Sequence, residues 1–217
     1  MADNLFEAKY DITKKSKLKV FYESNKTLIY LIITVTIIFL GSLSYYIESK
    51  AKKRILLSES YIESRIYLEN GKKEEALNIL KNVILANDPA YSSLSFFMVL
   101  DHNLINDHNE INILFDHLLE NNKFDEEIKN LLFYKKALYN STHLDELKLL
   151  EEIKPLLNKK ESVWKAHALL LLGDYFISKK ENYKAKDFYS QILSINNLQK
   201  DLYDQAKSQL LLISNDQ

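Results

Sequence analysis

The 217-residue sequence contains no cysteine, only two prolines and only three glycines. The absence of cysteine excludes disulfide scaffolds, zinc ribbons, thiol catalysis and iron–sulfur clusters. A β-sandwich or β-barrel needs many tight turns, so the scarcity of glycine and proline disfavours both folds. The chain also lacks an excess of charge of one sign, because 29 Lys and Arg stand against 30 Asp and Glu. This balance argues against a nucleic-acid-binding surface, and the whole composition favours an all-α protein.

The residue patterns that catalysis or metal binding requires are also missing. Three of the five histidines, His102, His108 and His117, follow an aspartate, but their spacings of 6 and 9 residues do not place two imidazoles on one helical face. The glycines are isolated from one another, which excludes a phosphate-cradling loop. We therefore predict a protein that is not an enzyme. We expect no cofactor, no metal site, no nucleic-acid partner and no small-molecule substrate.

A long uncharged run is present near the start of the chain, from Thr27 to Ile47, between Lys26 and Glu48. Its 21 residues would form a helix of about 31 Å at a rise of ~1.5 Å per residue, close to the ~30 Å hydrocarbon core of a bilayer. The run is apolar on all sides, whereas a helix of a soluble domain usually keeps one polar face. We therefore predict a transmembrane helix over residues 27–47.

A cleaved signal peptide is the alternative interpretation of this run, with Leu28–Leu40 as its apolar core and Ser42-Leu43-Ser44 near a cleavage site. The preceding 26 residues include four acidic side chains and are long for such a peptide, so an uncleaved signal anchor is favoured. Six lysines precede the run and four basic residues follow it closely, which slightly favours a cytoplasmic N-terminus. The predicted organisation is a cytoplasmic tail over 1–26, the anchor over 27–47 and one domain over 48–217.

One helical pattern recurs four times in residues 48–217: a helix, a short polar break and a second amphipathic helix. The breaks lie at 70–72, 106–108, 140–142 and 179–182. Equivalent positions in the second helices are Ala76, Ile111, Leu147 and Ala185, which lie 35, 36 and 38 residues apart, near the 34-residue tetratricopeptide period. A final helix over 198–213 would cover the last open edge. We expect an α-solenoid of about four helix pairs with a C-terminal capping helix.

The first helix of each pair normally lines the concave surface of such a solenoid, where extended peptides or helices bind. This rule nominates a small set of aromatic and charged residues as a possible groove for a peptide or partner. The nominated residues are Tyr61, Arg65, Phe96, His102, Tyr134, Tyr175 and Lys179.

The fourth copy resembles the tetratricopeptide (TPR) consensus. Leu172-Gly173 is followed by Ala185 and Tyr189, which matches the Leu-Gly, small and aromatic positions of that motif. Gly71 with Ala76 matches the turn and small positions in the first copy. The middle copies lack the small residue and match the motif in period alone.

The layout of the full chain resembles the ancillary SecYEG translocon subunit family (YfgM-like) of the bacterial inner membrane. The similarity depends on the anchor followed by the basic run Lys50–Arg54, on the segment from Tyr67 to Leu80, and on Leu169–Leu193. The family combines a short cytoplasmic N-terminus, one signal anchor and a periplasmic TPR-like domain.

The resemblance implies a non-catalytic accessory subunit of the Sec translocon. Such a subunit would hand emerging unfolded clients to a periplasmic chaperone or to a membrane-anchored prolyl isomerase-like factor. Its anchor would raise the effective concentration of weak client-binding contacts near the translocon exit. The alternative function is a membrane-anchored TPR scaffold for a cell-envelope assembly or division complex, and a third is a regulatory subunit of an enzyme.

Overall fold

A computed structural model describes residues 17–159 and 163–215 of the chain. These residues form nine α-helices and contain no β-strand, which confirms the prediction of an all-helical protein. The helices are α1 (Lys17–Glu69), α2 (Lys73–Ile84), α3 (Pro89–Asp101), α4 (His108–Asn121), α5 (Glu126–Asn140), α6 (Glu146–Leu157), α7 (Val163–Ser178), α8 (Asn182–Leu193) and α9 (Lys200–Asn215).

The chain divides into two compact units, and the boundary between Leu56 and Leu57 falls inside α1. The sequence pattern placed the start of the second domain at residue 48, where the uncharged run ends. No proline or glycine occurs between Gly41 and Gly71 to stop the helix, so α1 continues through the polar residues after the run. Residues 1–16 of the expected cytoplasmic tail lie outside the described residues.

In the first unit, α1 is long and apolar enough to cross a membrane, and none of its most apolar window is buried by protein. Every side chain from Tyr30 to Ile47 is exposed. The hydroxyl groups in this stretch donate hydrogen bonds to carbonyl oxygens of the same helix: Thr34 to Tyr30 at 2.9 Å and Thr36 to Ile32 at 2.8 Å. Polar groups satisfied within their own helix are what a hydrocarbon environment requires. By length and composition, the described part of the chain therefore has one candidate membrane-spanning helix, near the N-terminus.

In the second unit, aspartates cap the N-termini of four successive helices. Asp88, Asp107, Asp125 and Asp145 each accept a backbone N–H from the first turn of α3, α4, α5 and α6, respectively. An N-cap satisfies one of the otherwise unpaired donors at a helix start and contributes about 1 kcal/mol. The aspartate of the Asp107-His108 pair therefore begins α4, which explains that dipeptide without a metal.

Residues in the left-handed backbone region follow five of the helices. Gly71 has a φ of +74°, and Asn87, Asn103, Lys180 and Asn197 have φ values between +48° and +61°. Asparagine tolerates this conformation better than most residues, because its short amide can hydrogen-bond to the local backbone. Asparagine occupies three of these five positions. This use of asparagine explains how the chain ends its helices with so few glycines. The polar breaks predicted at 70–72, 106–108, 140–142 and 179–182 all fall at or between helix ends.

Each helix from α2 onwards packs against the next one, and α7 also contacts α5 and α9. Their apolar side chains form two clusters. The N-terminal core contains fully buried residues of α2, α3, α4 and α5, among them Leu80, Phe96, Phe115 and Leu132. The C-terminal core contains buried residues from α5 to α9. Helix α5 belongs to both clusters and links them.

The contact between α7 and α8 depends on Gly173. A Cβ atom at this position would lie 2.7 Å from Cζ of Tyr189, whose ring is fully buried. The Tyr189 hydroxyl donates a 2.6 Å hydrogen bond to Asp174 Oδ1, and Ala185 on the same face of α8 is also fully buried. Burial raises the pKa of the Tyr189 hydroxyl, and the hydrogen bond to Asp174 raises it further. A small residue on α7 thus allows a large aromatic residue of α8 to pack against its backbone.

Candidate partner-binding surface

The seven residues nominated from the sequence separate into several small groups in the structure. Phe96 does not belong to any surface, because its side chain is fully buried in the N-terminal core. Its ring packs edge-to-face on Phe115 of α4, with ring centroids 4.5 Å apart. The nomination of Phe96 is therefore corrected: the face of α3 that carries this residue points towards α4. Apolar periodicity alone does not distinguish the packed face of a first helix from its exposed face.

Tyr175, in the last turn of α7, and Lys179, directly after the end of this helix, form one group. The Tyr175 side chain is only 7% exposed, and its hydroxyl donates a 3.3 Å hydrogen bond to the carbonyl oxygen of Leu144. Burial raises the pKa of Tyr175, and the nearby Glu146 adds to this shift. The Lys179 ammonium lies 5.2 Å from the centroid of the Tyr175 ring. Lys179 is therefore the exposed member of the pair, and Tyr175 supports it.

Arg65 and His102 are both exposed, and the structure brings them together. They line a groove of about 190 Å³ between the last turns of α1 and α3, together with Leu68, Glu69 and Met98. One turn earlier on α1, the half-buried Tyr61 ring packs against Tyr91, with centroids 6.2 Å apart. Tyr61, Arg65 and His102 thus all lie where the last turns of α1 face α3.

Tyr134 lies in an aromatic cluster between α5 and α7. Its ring centroid is 5.5 Å from that of His167 and 6.4 Å from that of Trp164, and the Trp164 and His167 centroids are 5.9 Å apart. All three side chains are half-buried. The Trp164 indole N–H donates a 2.6 Å hydrogen bond to Glu127 Oε2. Half-buried aromatic residues with one polar edge are typical of protein-binding surfaces.

The environment of this cluster changes the pKa of two of its members. Burial raises the pKa of the Tyr134 hydroxyl, and the negative charge of Asp174 adds to the shift. Burial lowers the pKa of the His167 imidazole. Both shifts favour neutral side chains at pH 7. The cluster is therefore an uncharged aromatic surface next to the carboxylates of Glu127 and Asp174.

A cavity of about 230 Å³ lies between the end of α3, the α3–α4 connection, the start of α4 and the second half of α5. Its walls are mainly apolar, and Lys135 and Tyr139 lie one turn apart on α5. Burial raises the pKa of the Tyr139 hydroxyl, and the carboxylate of Asp107 adds to the shift. The lining residues are Val99, Leu100, Asn103, Ile105, Ile111, Lys135, Leu138 and Tyr139.

A polar network joins α4, α5 and α6 beside the junction of the two cores. The amides of Asn112 and Asn140 bond to each other at 2.7 and 3.0 Å, and Asn140 also donates to Glu152 Oε1 at 2.8 Å. The Lys136 ammonium lies 2.6 Å from Asp116 Oδ1 and 3.5 Å from Glu152 Oε1. Because Asn140 is only 3% exposed, its amide depends on these partners. The network fixes the relative register of three helices and is structural.

Trp164 and His167 in the aromatic cluster and Lys135 in the cavity wall were not among the residues nominated from the sequence. Trp164 precedes the consensus aromatic position of its copy, and its partners lie on α5, more than 25 residues earlier. The available signal was the recurrence of aromatic residues on the first helices of the third and fourth copies, at Tyr134 and Trp164. Lys135 gave no signal, because a single lysine on an amphipathic helix is usually a solvated residue.

No group of three or more His, Asp or Glu side chains that could hold a metal ion occurs among residues 17–159 and 163–215. His108 is used in packing: its ring stacks on Tyr139 at 5.0 Å and lies 4.1 Å from the His143 ring. His117 bonds to the side chain of Asn87 at 2.8 Å.

Comparison with known proteins gave no relative. No family model matches the chain, and no curated protein or solved structure matches it.

Proposed function

We propose that this protein is a non-catalytic, membrane-tethered binding subunit whose helical domain holds other proteins close to a membrane. The observation that carries the proposal is α1, in which an unburied apolar stretch continues without a break into the domain that begins at Leu57. Helix α1 therefore contributes residues both to the apolar stretch and to the domain.

We assign a TPR-like α-solenoid to residues 57–215. The order of packing supports this assignment, because neighbouring helices contact in sequence and the odd-numbered helices α5, α7 and α9 also contact one another in turn. The close approach of Gly173 to Tyr189 supports it as well, since a small residue on the first helix accommodates an aromatic residue of the second. In this scheme, α9 is the capping helix.

The binding surface in this proposal is formed by the first helices of the pairs. The Tyr134–Trp164–His167 cluster on α5 and α7 provides its aromatic contacts. The exposed residues Arg65 and His102 and the ammonium of Lys179 provide its polar and charged contacts. Aromatic residues and arginine dominate the energetics of most protein interfaces, which supports a protein rather than a small molecule as the partner.

From the resemblance to the ancillary SecYEG translocon subunit family, we propose that this tether lies in the bacterial inner membrane, with the N-terminus in the cytoplasm and the domain in the periplasm. In that setting, the domain binds unfolded clients as they leave the translocon. It passes them to a periplasmic chaperone or to a membrane-anchored prolyl isomerase-like factor. Tethering raises the effective concentration of the surface at the exit, so weak contacts with each client suffice.

Affinity purification of the tagged full-length chain in a mild detergent, with mass spectrometry of its partners, tests this proposal. The control is a tagged chain that contains residues 1–56 alone, which retains the apolar stretch without the domain. A second variant, Trp164→Ala with Tyr134→Ala, keeps the anchor and removes the aromatic surface. We expect translocon subunits and a periplasmic folding factor to be enriched over the anchor control and reduced in the double variant.

Two outcomes would overturn parts of the proposal. Enrichment of cell-envelope assembly or division proteins without translocon subunits would replace the Sec role with the scaffold function. Equal recovery of partners by the full-length chain and by residues 1–56 would show that the domain is not the binding element.

A further inference from the structure

The cavity between α3 and α5 has the size of one large side chain. Pockets for drug-sized ligands measure about 300–1,000 Å³, whereas an engineered apolar cavity of about 150 Å³ is large enough for benzene. The cavity of about 230 Å³ lies between these sizes. One aromatic or branched aliphatic side chain would fill it, and the walls of Val99, Leu100, Ile111 and Leu138 would remove that side chain from water.

A single cation lines this apolar cavity in the described part of the chain. The half-buried Lys135 has no carboxylate oxygen within 4.0 Å among the described residues. The next residue, Lys136, is in contrast held by Asp116 and Glu152. An ammonium with no carboxylate near it among the described residues attracts a negatively charged group beside it.

Part of the cavity wall belongs to the binding surface of the proposed function. Val99 and Leu100 come from α3, and Lys135, Leu138 and Tyr139 come from α5, which are the first helices of the second and third pairs; the start of α4 completes the wall with Ile111. Side chains two residues apart lie on the same face of an extended peptide. An extended peptide on this surface therefore presents one side chain to the cavity and the side chain two positions later to Lys135.

We infer that the cavity is a side-chain pocket for an extended peptide segment in which a bulky apolar residue is followed, two positions later, by an acidic residue. The apolar side chain enters between Leu100, Ile111 and Leu138, and the carboxylate pairs with the Lys135 ammonium. This inference rests on the proposed protein-binding function and names its sequence preference. The segment class is an apolar residue, preferably phenylalanine or leucine, with aspartate or glutamate two positions later.

A charge-swap experiment with fluorescein-labelled peptides tests the pocket on the full-length chain in detergent micelles. Three peptides in one glycine–serine background contain Phe-Gly-Asp, Phe-Gly-Lys and Ala-Gly-Asp, which are named Phe-Asp, Phe-Lys and Ala-Asp after the two varied residues, and fluorescence polarisation measures Kd. We expect the Phe-Asp peptide to bind roughly three- to tenfold more tightly than the Phe-Lys peptide, as for a partly exposed ion pair. We expect the Ala-Asp peptide to bind at least about tenfold more weakly than Phe-Asp, because it buries no large side chain.

Two variants and one control separate the pocket from general electrostatics. Lys135→Glu should reverse the order, so that the Phe-Lys peptide binds more tightly than Phe-Asp. Leu138→Trp, at a position that is 42% exposed, should fill the pocket and abolish the preference of Phe-Asp over Ala-Asp. Lys186→Glu makes the same charge change at an exposed site on α8 and should leave the order unchanged. Far-ultraviolet circular dichroism verifies that each variant is folded.

The inference is overturned if Lys135→Glu keeps the wild-type order, or if Leu138→Trp binds Phe-Asp with wild-type affinity. It is also overturned if the wild-type chain binds none of the three peptides. Failure of the proposed function has a different signature, because the partners recovered by affinity purification would then not depend on the domain. Partner recovery without peptide preference would reject the pocket alone.

Discussion

The uncharged stretch of α1 and the helix α7 are both strongly apolar, but their surroundings are opposite. All side chains from Tyr30 to Ile47 are exposed, whereas nine of the 16 residues of α7 are buried. Helix α7 is apolar on most sides because four helices, α5, α6, α8 and α9, pack around it. An apolar circumference is therefore compatible with two environments, a lipid bilayer and the centre of a helical domain.

The length of the uncharged run distinguishes these two environments. In α1, 21 residues lie between the charged residues Lys26 and Glu48, which is enough to cross a bilayer. In α7, only eight residues lie between Lys165 and Asp174. Helix α7 tolerates charged residues near its ends because protein covers all of its faces only over the short segment between them. The most apolar part of α1 has no cover from the described residues of the protein, as is expected of a candidate membrane-spanning helix.

Truncation of a phenylalanine gives the largest expected contrast between the two helices. Phe176 of α7 is 1% exposed, and Phe39 of α1 is 63% exposed. Phe176→Ala should destabilise the domain by about 3–5 kcal/mol, because it leaves a cavity in the C-terminal core. Phe39→Ala should leave the unfolding midpoint of the domain unchanged. Urea unfolding of both full-length variants in micelles measures the difference. Equal unfolding midpoints would contradict the claim that Phe176 is packed in the domain core and Phe39 is not.

A charge placed in the apolar stretch gives the next largest effect. Ile37→Lys should disfavour membrane insertion by about 2.5–3.5 kcal/mol, the cost of a lysine at the centre of a membrane helix. Ile66→Lys, at an exposed position on the domain part of α1, is the matched control and should insert as the wild type does. The fraction of chain that resists alkaline carbonate extraction measures insertion. Equal extraction of the two variants would indicate that the stretch is not in lipid.

Gly41 of α1 and Gly173 of α7 allow the two helices to be compared by the addition of a single methyl group. At Gly173, an added Cβ would collide with the Tyr189 ring, whereas at Gly41 nothing lies within 4 Å. Gly173→Ala should destabilise the domain by about 1–3 kcal/mol through overpacking. Gly41→Ala should have no effect on domain stability. Thermal unfolding of both variants tests this prediction, and a tolerated Gly173→Ala would contradict the close packing of α7 on α8.

The smallest expected effect is a pH dependence that comes from α7. Burial lowers the pKa of His167 below the value of about 6.5 for an unfolded histidine. The unfolded chain therefore takes up a proton at a higher pH than the folded chain does. The stabilisation is present above pH ~6.5 and is lost as the pH falls towards the lower folded pKa.

The variant His167→Gln tests this pH dependence, with His102→Gln as the control at an exposed position. Between pH 7.5 and pH 5, the wild-type chain and His102→Gln should lose more of their unfolding free energy than His167→Gln loses. Identical losses in all three chains would show that His167 titrates in the folded state as it does in the unfolded state.

Much of the fold could be predicted from the sequence, because local signals determine it. The second amphipathic helix of the first copy and the break at 70–72 are confirmed by α2 and by the end of α1. Proline disfavours the continuation of a helix, and α6 ends at Leu157, two residues after Pro155. The final helix predicted over 198–213 is present as α9.

The surface could not be predicted to the same extent, because it depends on contacts between distant residues. The burial of Phe96 follows from the approach of Phe115, and the aromatic cluster follows from the alignment of Tyr134 with Trp164. Neither alignment can be read from the period of one helix. The Asn112–Asn140–Glu152 network could not be predicted for the same reason, because it joins distant residues. Asparagine and glutamate on a single helix usually indicate a solvated face.

The most direct test of the tethered arrangement is the accessibility of single cysteines, which the absence of native cysteine makes simple. Val35→Cys lies in the apolar stretch, and Ser190→Cys lies at an exposed position of α8. Cells with a permeabilised outer membrane are treated with a membrane-impermeant maleimide. The account predicts that the cysteine at position 190 is labelled, while the one at position 35 is labelled only after detergent is added. Labelling at position 35 in intact membranes would contradict the anchor, and labelling at position 190 only after the inner membrane is opened would contradict the proposed orientation.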